Sequence, residues 1–268
     1  MFSWLANLFT SKPIRQSGRT LRFVRARYDA AATSDDNRRH WANADGLSAN
    51  AANSPDVRRV LRNRARYEVA NNSYARGIVL TLANDCVGTG PRLQMLTPNA
   101  ETNRRVEQEF SLWAKAVHLA AKLRTMRMAR AQDGEAFCIL TSNPHLPTPV
   151  KLDVRLVEAD QVTTPDLSAL GGNAVDGIVF DVFGNPLEYY VLRDHPGDAR
   201  PGLGLQYDRV PAEAMIHWFR ADRPGQVRGI PDITPALPLF AQLRRFTLAV
   251  IAAAETAADF AGILYTDA

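Results

Sequence analysis

Glu158 and Asp160 are the carboxylates best placed to do chemistry. They lie one and three residues past the alternating run Val150–Val157, and a strand end is a common seat for a general acid, a general base or a metal ligand. His217, next to Trp218 at the end of a second alternating run, is the natural third member. A hydrolase built on these residues needs all three side chains to converge in a concave pocket with perturbed pKa values. A plainer reading stands beside it. Asp160 is followed by Gln-Val-Thr-Thr-Pro, where an aspartate caps a turn, and His217 reads equally as a half-buried, hydrogen-bonded side chain.

The remaining inventory is thin. The five histidines, His40, His118, His145, His195 and His217, have no metal-ligand spacing to one another or to a cysteine. There is no Gly-x-Ser-x-Gly elbow and no His-Glu-x-x-His pair. Gly88-Thr-Gly90-Pro91 lacks the Gly-Lys-Ser/Thr of a phosphate-binding loop, which removes the nucleotide reading. We therefore assign no catalytic, cofactor-binding or metal residues and expect no cofactor, which weakens an enzymatic function.

The 268 residues are enough for one large domain or two modest ones. The net charge of +4 and a pI near 9.3 lean on the N-terminal third, where Lys12, Arg15, Arg19, Arg22, Arg25 and Arg27 come with few acids. That balance is compatible with a nucleic-acid partner without establishing one. Cys86 and Cys138 are far apart and read as buried thiols of a reducing compartment, not a disulfide framework. Met1–Phe9 is amphipathic but lacks a basic start and a cleavage pattern, so it is a poor signal peptide. The most apolar run, Phe246–Leu264, is interrupted by Glu255 and Asp259, so no membrane span is expected.

Three parts follow. Residues 1–53 read as a basic, largely irregular arm, either solvated or touching nucleic acid or an acidic surface. Residues 54–218 read as an α+β domain. Ser54-Pro55-Asp56 is a helix start by cap, first-turn proline and first-turn acid. The helical pattern runs to about Cys86, with Val57, Leu61, Ala65 and Val69 on one face and a break at Asn71-Asn72. Arg58, Arg59, Arg62, Arg64 and Arg66 go nearly round its first half, so some of them are expected to pair across an interface. Arg92–Leu96 suggests a short strand. Glu101–Ala120 suggests a helix with Val106, Phe110, Trp113 and Val117 inward, and Lys122–Ala131 another, closed by Asp133-Gly134. From Glu135 the period becomes two. Ala136–Thr141, Val150–Val157, a hairpin of Gly177–Phe183 and Leu187–Leu192 about Gly184-Asn185, and Ala214–Phe219 form an antiparallel sheet.

Residues 219–268 are turn chemistry followed by a long helix. Pro224-Gly225 and Gly229-Ile-Pro231 cannot sit inside a regular element. Thr234 and Pro235 suit a cap and a first helical position, and Pro238 is expected to kink or delay the start. Leu243, Phe246, Val250, Ala253, Ala257, Phe260 and Leu264 then follow 3-4 spacing along one stripe, with Arg245, Glu255 and Asp259 near the opposite face. Alanines bury little area each, so such a stripe stabilises only when another helix comes close. It serves either as a packing element between chains or as a terminal helix laid across its own domain.

Several blocks in order resemble the lambda-type family of phage portal proteins. They are Leu61-Arg-Asn-Arg-Ala-Arg-Tyr67 with Asn71-Asn72, then Cys86-Val-Gly-Thr-Gly90, then Asp176-Gly-Ile-Val-Phe-Asp181 with Gly184-Asn-Pro-Leu-Glu-Tyr-Tyr190. The most specific is Met215-Ile-His-Trp-Phe with Arg223-Pro-Gly-Gln-Val-Arg-Gly-Ile-Pro231, followed by the alanine-rich helix that carries Glu255-Thr-Ala-Ala. The resemblance spans roughly Asp29 to the end. It implies a non-enzymatic head-tail connector in the virion: a homo-oligomeric ring, usually a dodecamer, at one capsid vertex, assembled in the host cytoplasm. Double-stranded DNA would be driven through its channel during genome packaging and leave the same way. The implied partners are other copies of the chain, the terminase motor, capsid or scaffold proteins and head-completion proteins, with no membrane.

On this resemblance residues 54–218 look like the wing, and the helix after Pro231 like a stem helix. Leu243, Phe246, Val250, Ala253, Ala257 and Phe260 would form an inter-subunit stripe, and Glu255 and Asp259, one turn apart, would line the channel and repel the duplex. Family members are longer. The clip, returning stem helix and crown are expected after residue 268, so this chain reads as a fragment, a truncated gene or a degenerate prophage copy unable to build a complete channel. Two other functions remain open: a nucleic-acid-binding protein using the basic arm and the Arg58–Arg66 helix, marked by a steep salt slope, and the hydrolase considered above.

Overall fold

The computed structural model describes residues 31, 34–164, 174–198, 206–260 and 262. Met1–Phe9, the basic cluster Lys12–Arg27 and Leu264 lie outside the described residues. The chain divides into a short unit, Met1–Gly46, and a large unit, Leu47–Ala268. In the short unit a turn is tied at Ser34, whose backbone N–H donates to Asn37 Oδ1 at 2.8 Å.

The large unit opens with helices α1 (Ala49–Ala52), α2 (Pro55–Asn71) and α3 (Ser73–Val87). Ser54 caps α2 through its hydroxyl, with Pro55 in the first turn. Asn72 separates α2 from α3: its backbone N–H closes α2 on Glu68, and its side chain accepts from Tyr74 and Ala75 N–H to start α3. The expected strand at Arg92–Leu96 does not form; that stretch is irregular and leads into α4 (Ala100–Ala116). The helix expected to run to Ala120 stops at Ala116. His118 takes a left-handed backbone conformation (φ 53°) and turns the chain into α5 (Leu119–Asp133). Val117 is buried, but Val106 is exposed and Phe110 and Trp113 are only half-buried.

The period-two region gives two antiparallel sheets, where a single sheet was expected. One has the order β2-β1-β7, from β1 (Glu135–Ser142), β2 (Leu152–Val157) and β7 (Met215–Phe219); the other has the order β3-β4-β5-β6, from β3 (Ala174–Val175), β4 (Ile178–Phe180), β5 (Pro186–Leu192) and β6 (Tyr207–Pro211). Strand alternation divides β1 between two cores. Phe137 and Ile139 pack towards the second sheet with Ile178, Tyr189, Val191 and Val210. Ala136 and Cys138 point the other way, towards Val117, Leu119 and Met126 of the α4–α5 layer. A third core joins α2, α3 and α5 to the base of the last helix through Ala65, Val69, Ala75, Val79, Ala131, Ile233, Leu237 and Phe240.

The last helix, α6 (Leu237–Asp259), follows a 3-10 turn over Thr234–Ala236 with Pro238 in its first turn. The proline thus sits at the start of the α-helix, after the 3-10 turn, and not in its interior. From Thr234 to Asp259 the helical segment is long and apolar enough, by length and composition, to cross a membrane, contrary to the sequence expectation. That expectation began the apolar run at Phe246 and met Glu255 and Asp259. A window starting at Leu237 and ending at Ala254 meets only Arg244 and Arg245.

Candidate functional site

Two features of the large unit stand out, a knot of buried charges and the rod that it anchors. The knot begins on α2. Arg58, Arg62 and Arg66 are four residues apart, so they share one face. That face is the buried one: Arg58, Arg62, Ala65, Glu68 and Val69 are buried, while Val57 is exposed. The apolar stripe expected through Val57, Leu61, Ala65 and Val69 is kept at its C-terminal end, where Ala65 and Val69 are buried and Leu61 packs against the same core, while Val57 is exposed and the arginines turn inward beside it.

Each inward arginine meets carboxylates of the same chain. Arg58 pairs with Asp176 and donates to the Asn53 carbonyl. Arg62 reaches Glu135 at 3.5 Å and Asp160 at 3.3 Å. Arg66 donates to Asp133 at 2.6 Å and pairs with Asp160 at 2.8 Å and Glu158 at 3.2 Å. These three guanidiniums find their ion-pair partners inside the chain, not across an interface, although one buried nitrogen of each makes no hydrogen bond.

The centre of the knot is Arg228, fully buried in the loop before α6. Its Nε and one terminal nitrogen donate to the two oxygens of Glu135 at 2.9 and 2.7 Å. The other terminal nitrogen donates to the carbonyls of Val162 and Asp176 at 3.0 and 2.6 Å. The guanidinium lies over the Phe137 ring, 5.3 Å from its centre. Glu135 also accepts the Gly229 N–H at 3.1 Å and contacts His217 Nε2 at 3.1 Å. Burial alone would raise the Glu135 pKa. The charge of Arg228 and the hydrogen bonds from His217 and Arg228 outweigh it, holding the carboxyl well below its usual range. Burial lowers the His217 pKa in spite of Glu135, and against an ionised Glu135, which can only accept, the Nε2 contact is one in which the imidazole donates. For Arg66 burial works against the charge, but the bond to Asp133 and the nearby carboxylates raise its pKa above normal.

This geometry tests the chemical readings. Glu158 and Asp160 do converge, but on His195 Nε2, at 3.5 and 3.7 Å, and not on His217. One ligand atom from each of Glu158, Asp160 and His195 lies within 4.8 Å of the others, a spacing that suits a cation. Arg66 already fills that role with a fixed guanidinium. His217 is occupied with Glu135 and stacked between Phe137 and Phe219, at centroid distances of 4.2 and 4.5 Å. The hydrolase triad is therefore not assembled. Asp160 is an ion-pair partner of two arginines where a turn cap was expected, while the turn itself is closed by Gln161 N–H on the Glu158 carbonyl at 3.0 Å.

The knot fixes the base of α6. Asn53 donates to the Arg228 carbonyl at 3.0 Å, and Asn50 receives Val227 N–H at 3.1 Å, so α1 is tied to the same loop. Gly229 passes against Gly134, where a Cβ would collide with the Gly134 backbone. Arg244 then clamps the first turns of α6 to α2, donating to Glu68 at 2.8 Å and lying over Tyr67 at 5.1 Å.

Beyond that clamp the rod is bare. Only Leu237 and Phe240 of α6 are buried. Leu243, Phe246, Val250 and Phe260 are exposed, Phe246 by 67 %, and so are Ala253, Ala257, Glu255 and Asp259. Leu239, four residues before Leu243, extends the stripe towards the base, and Leu248 and Ile251 are exposed off it, so apolar side chains flank the rod on more than the one expected stripe. Eighteen residues make about five helical turns, which sets Glu255 above Leu237 and Asp259 above Ala241. The two acids thus continue the flank that packs on the domain at the base.

Arg228 and Glu135 were the residues that the sequence reading missed. Their signal was a charged residue flanked by turn glycines, in Val-Arg-Gly and Gly-Glu-Ala. Residues 35–268 match the family described as phage portal protein, lambda family. A probable portal protein of Halomonas phage phiHAP-1 is 27% identical over 227 residues, which cover 78% of this chain and 43% of that relative. The chain thus spans less than half the length of the relative. With the match running through the helical hub, both sheets and α6, this chain belongs to the lambda family of phage portal proteins.

Proposed function

We propose that this chain forms the wing and the first stem helix of a phage portal, self-associating around an axis along which double-stranded DNA passes during packaging and ejection. The observation that carries this reading is α6: a rod anchored at its base by the buried charge knot, with its apolar side chains left open beyond Phe240. A helix laid across its own domain would cover those side chains. Association with a second copy covers them, at about 1.5–3 kcal/mol per fully buried Leu, Val or Phe.

On this reading Leu243, Phe246, Val250, Ala253, Ala257 and Phe260 meet a neighbouring subunit. Glu255 and Asp259 face the channel where the rod has left the domain, and their charge keeps the duplex from binding. The partners are further copies of the chain, twelve in the intact ring, together with terminase, capsid or scaffold and head-completion proteins. The site of action is the capsid vertex of the virion, reached from the host cytoplasm, and no bond is made or broken. The occupied states of His217, Glu135 and Asp160 support a non-catalytic role.

Sedimentation velocity over a range of concentrations tests the reading. The expected result is reversible association; a chain that stays monomeric at the highest concentrations overturns it. Duplex binding is expected to be weak, since each contacted phosphate would add salt-sensitive affinity and slow sliding. Tight binding with a steep salt slope would favour a nucleic-acid-binding protein instead. Reversing both Glu255 and Asp259 to lysine is expected to impair packaging, and unchanged packaging removes them from the channel.

A further inference from the structure

The rod has a second apolar feature, on the flank away from the stripe. Where α6 leaves the domain, Leu61 and Tyr67 of α2 and Leu237, Pro238 and Ala241 of α6 line an open groove of about 610 Å³, with Arg64 at its rim. Tyr67 is 55 % exposed. Leu248 stands two turns beyond Ala241 on the same flank and is exposed as well. The stripe residues Leu239, Leu243, Phe246 and Val250 follow 4-3-4 spacing on the other flank and form a ridge.

We propose that the groove between α2 and α6 receives the Leu239–Val250 ridge of the next copy of this chain. The proposal rests on the self-association reading given above and assigns its two contact surfaces. Three observations select a second copy as the occupant. Groove and ridge lie on opposite flanks of one rod, as a head-to-tail contact repeated about an axis requires. Their centres differ by about five residues, or roughly 7 Å along the helix, so a small axial stagger brings them into register. The ridge presents branched and aromatic side chains, and the groove offers them an apolar wall of Leu, Tyr, Pro and Ala beside the polar Asn63, Arg64, Glu68 and Thr234. A two-fold dimer pairing ridge with ridge would leave the groove open. Further along the groove flank the residues become acidic at Glu255 and Asp259, so the contact is confined to the first turns of α6.

Single-cysteine cross-linking of the full chain tests this. Cys86 is exposed on α3, where a buried thiol was expected, and Cys138 is buried, so Cys86→Ser removes the competing surface thiol. One chain then carries Leu243→Cys and a second, of different tagged mass, carries Ala241→Cys. Both are oxidised with diamide, separately and mixed, under conditions where sedimentation shows association. The expected result is a mixed disulfide dimer formed several-fold more than either like pair. A dominant Leu243→Cys self-dimer would overturn the groove assignment in favour of ridge-to-ridge packing and leave self-association intact. Association with no cross-link in any mixture overturns the groove assignment as well. Absence of association overturns both readings.

Discussion

Arg228 and Glu135, 93 residues apart in sequence, meet in a double hydrogen bond of 2.7 and 2.9 Å with neither side chain accessible to water. The pair joins the first strand of one sheet to the loop that launches α6. Its orientation of the rod depends on charges that have no solvent to fall back on.

Removing one partner leaves the other in a dry site without its double hydrogen bond, Arg228 keeping Asp176 at 3.1 Å and Glu135 keeping Arg62 at 3.5 Å. Glu135→Gln or Arg228→Met is expected to cost about 3–5 kcal/mol, the range for a broken buried pair. The double variant Glu135→Leu with Arg228→Met should recover part of that loss, because no uncompensated charge remains. Urea denaturation of the two single variants and the double variant checks this. Equal losses in all three would mean that the pair acts by shape and not by charge.

The glycine contact above the pair is as strict. Gly229→Ala would force a Cβ against the Gly134 backbone, and neither strand β1 nor the loop can retreat without breaking the Arg228 bonds. A loss of about 1–3 kcal/mol is expected, as for an overpacked core. Gly225→Ala offers the contrast. It has open space around it but a positive φ of 75°, so its cost should come from backbone strain alone. Melting temperatures of the two variants separate steric from conformational loss.

Acid should loosen the knot in two stages. His217 has its pKa lowered by burial from a reference of 6.5. Below that pH the unfolded chain takes a proton that the folded chain refuses, so stability falls as pH drops. Glu135 has its pKa depressed from 4.5, chiefly by Arg228 acting against burial. Its contribution is present above that value and is lost as pH falls further. Asp133 carries the opposite sign, since burial raises its pKa, and it offsets part of the second stage. Thermal unfolding from pH 7.5 to 5 therefore reads the histidine, and His217→Gln should flatten that part of the profile. An unchanged slope in the variant would assign the loss to another group.

How much of this was legible depends on the range of each interaction. Ser54-Pro55-Asp56 and Asn71-Asn72 act on their own backbone, and the helix start and break lie where their chemistry puts them. The hairpin at Gly184-Asn185 forms for the same reason, with Asp181 holding the Phe183 and Asn185 N–H groups at 2.8 Å each. The arginine face of α2 was not legible, because helical spacing shows which residues share a face and not which face is buried. Carboxylates from Asp133, Glu135, Asp160 and Asp176 make the charged face the inner one, and they are 67 to 118 residues from their α2 partners. The split into two sheets was hidden similarly: β1 pairs with β7 across more than a third of the large unit, which no local alternation can announce. The stripe on α6 was visible, but the groove beside it needs α2.

The cap that divides α2 from α3 can be weighed directly. Asn72 Oδ1 accepts from Tyr74 N–H at 3.0 Å and from Ala75 N–H at 3.4 Å. Asn72→Ala should cost about 1 kcal/mol, the usual value of a lost N-cap, and Asn72→Asp should keep most of it. Urea midpoints decide. A loss in the aspartate variant as large as in the alanine variant would point to the Asn72 amide, which donates to Glu68 at 3.4 Å, in place of the cap.

The bare rod separates folding from assembly. Phe246 and Leu243 are exposed and touch none of the three cores, so replacing both with glutamate should change the stability of the isolated chain by no more than about 0.5 kcal/mol. The same change places two charges where a partner would have to desolvate them, and each buried unpaired charge costs several kcal/mol. Self-association should therefore be lost while the unfolding midpoint stays in place. Leu237→Glu gives the reverse control, because Leu237 belongs to the core beneath α6 and its loss should lower stability before any question of assembly arises. If Phe246→Glu with Leu243→Glu unfolds the chain instead, the rod is held by its own domain, and the ridge was never available to a neighbour.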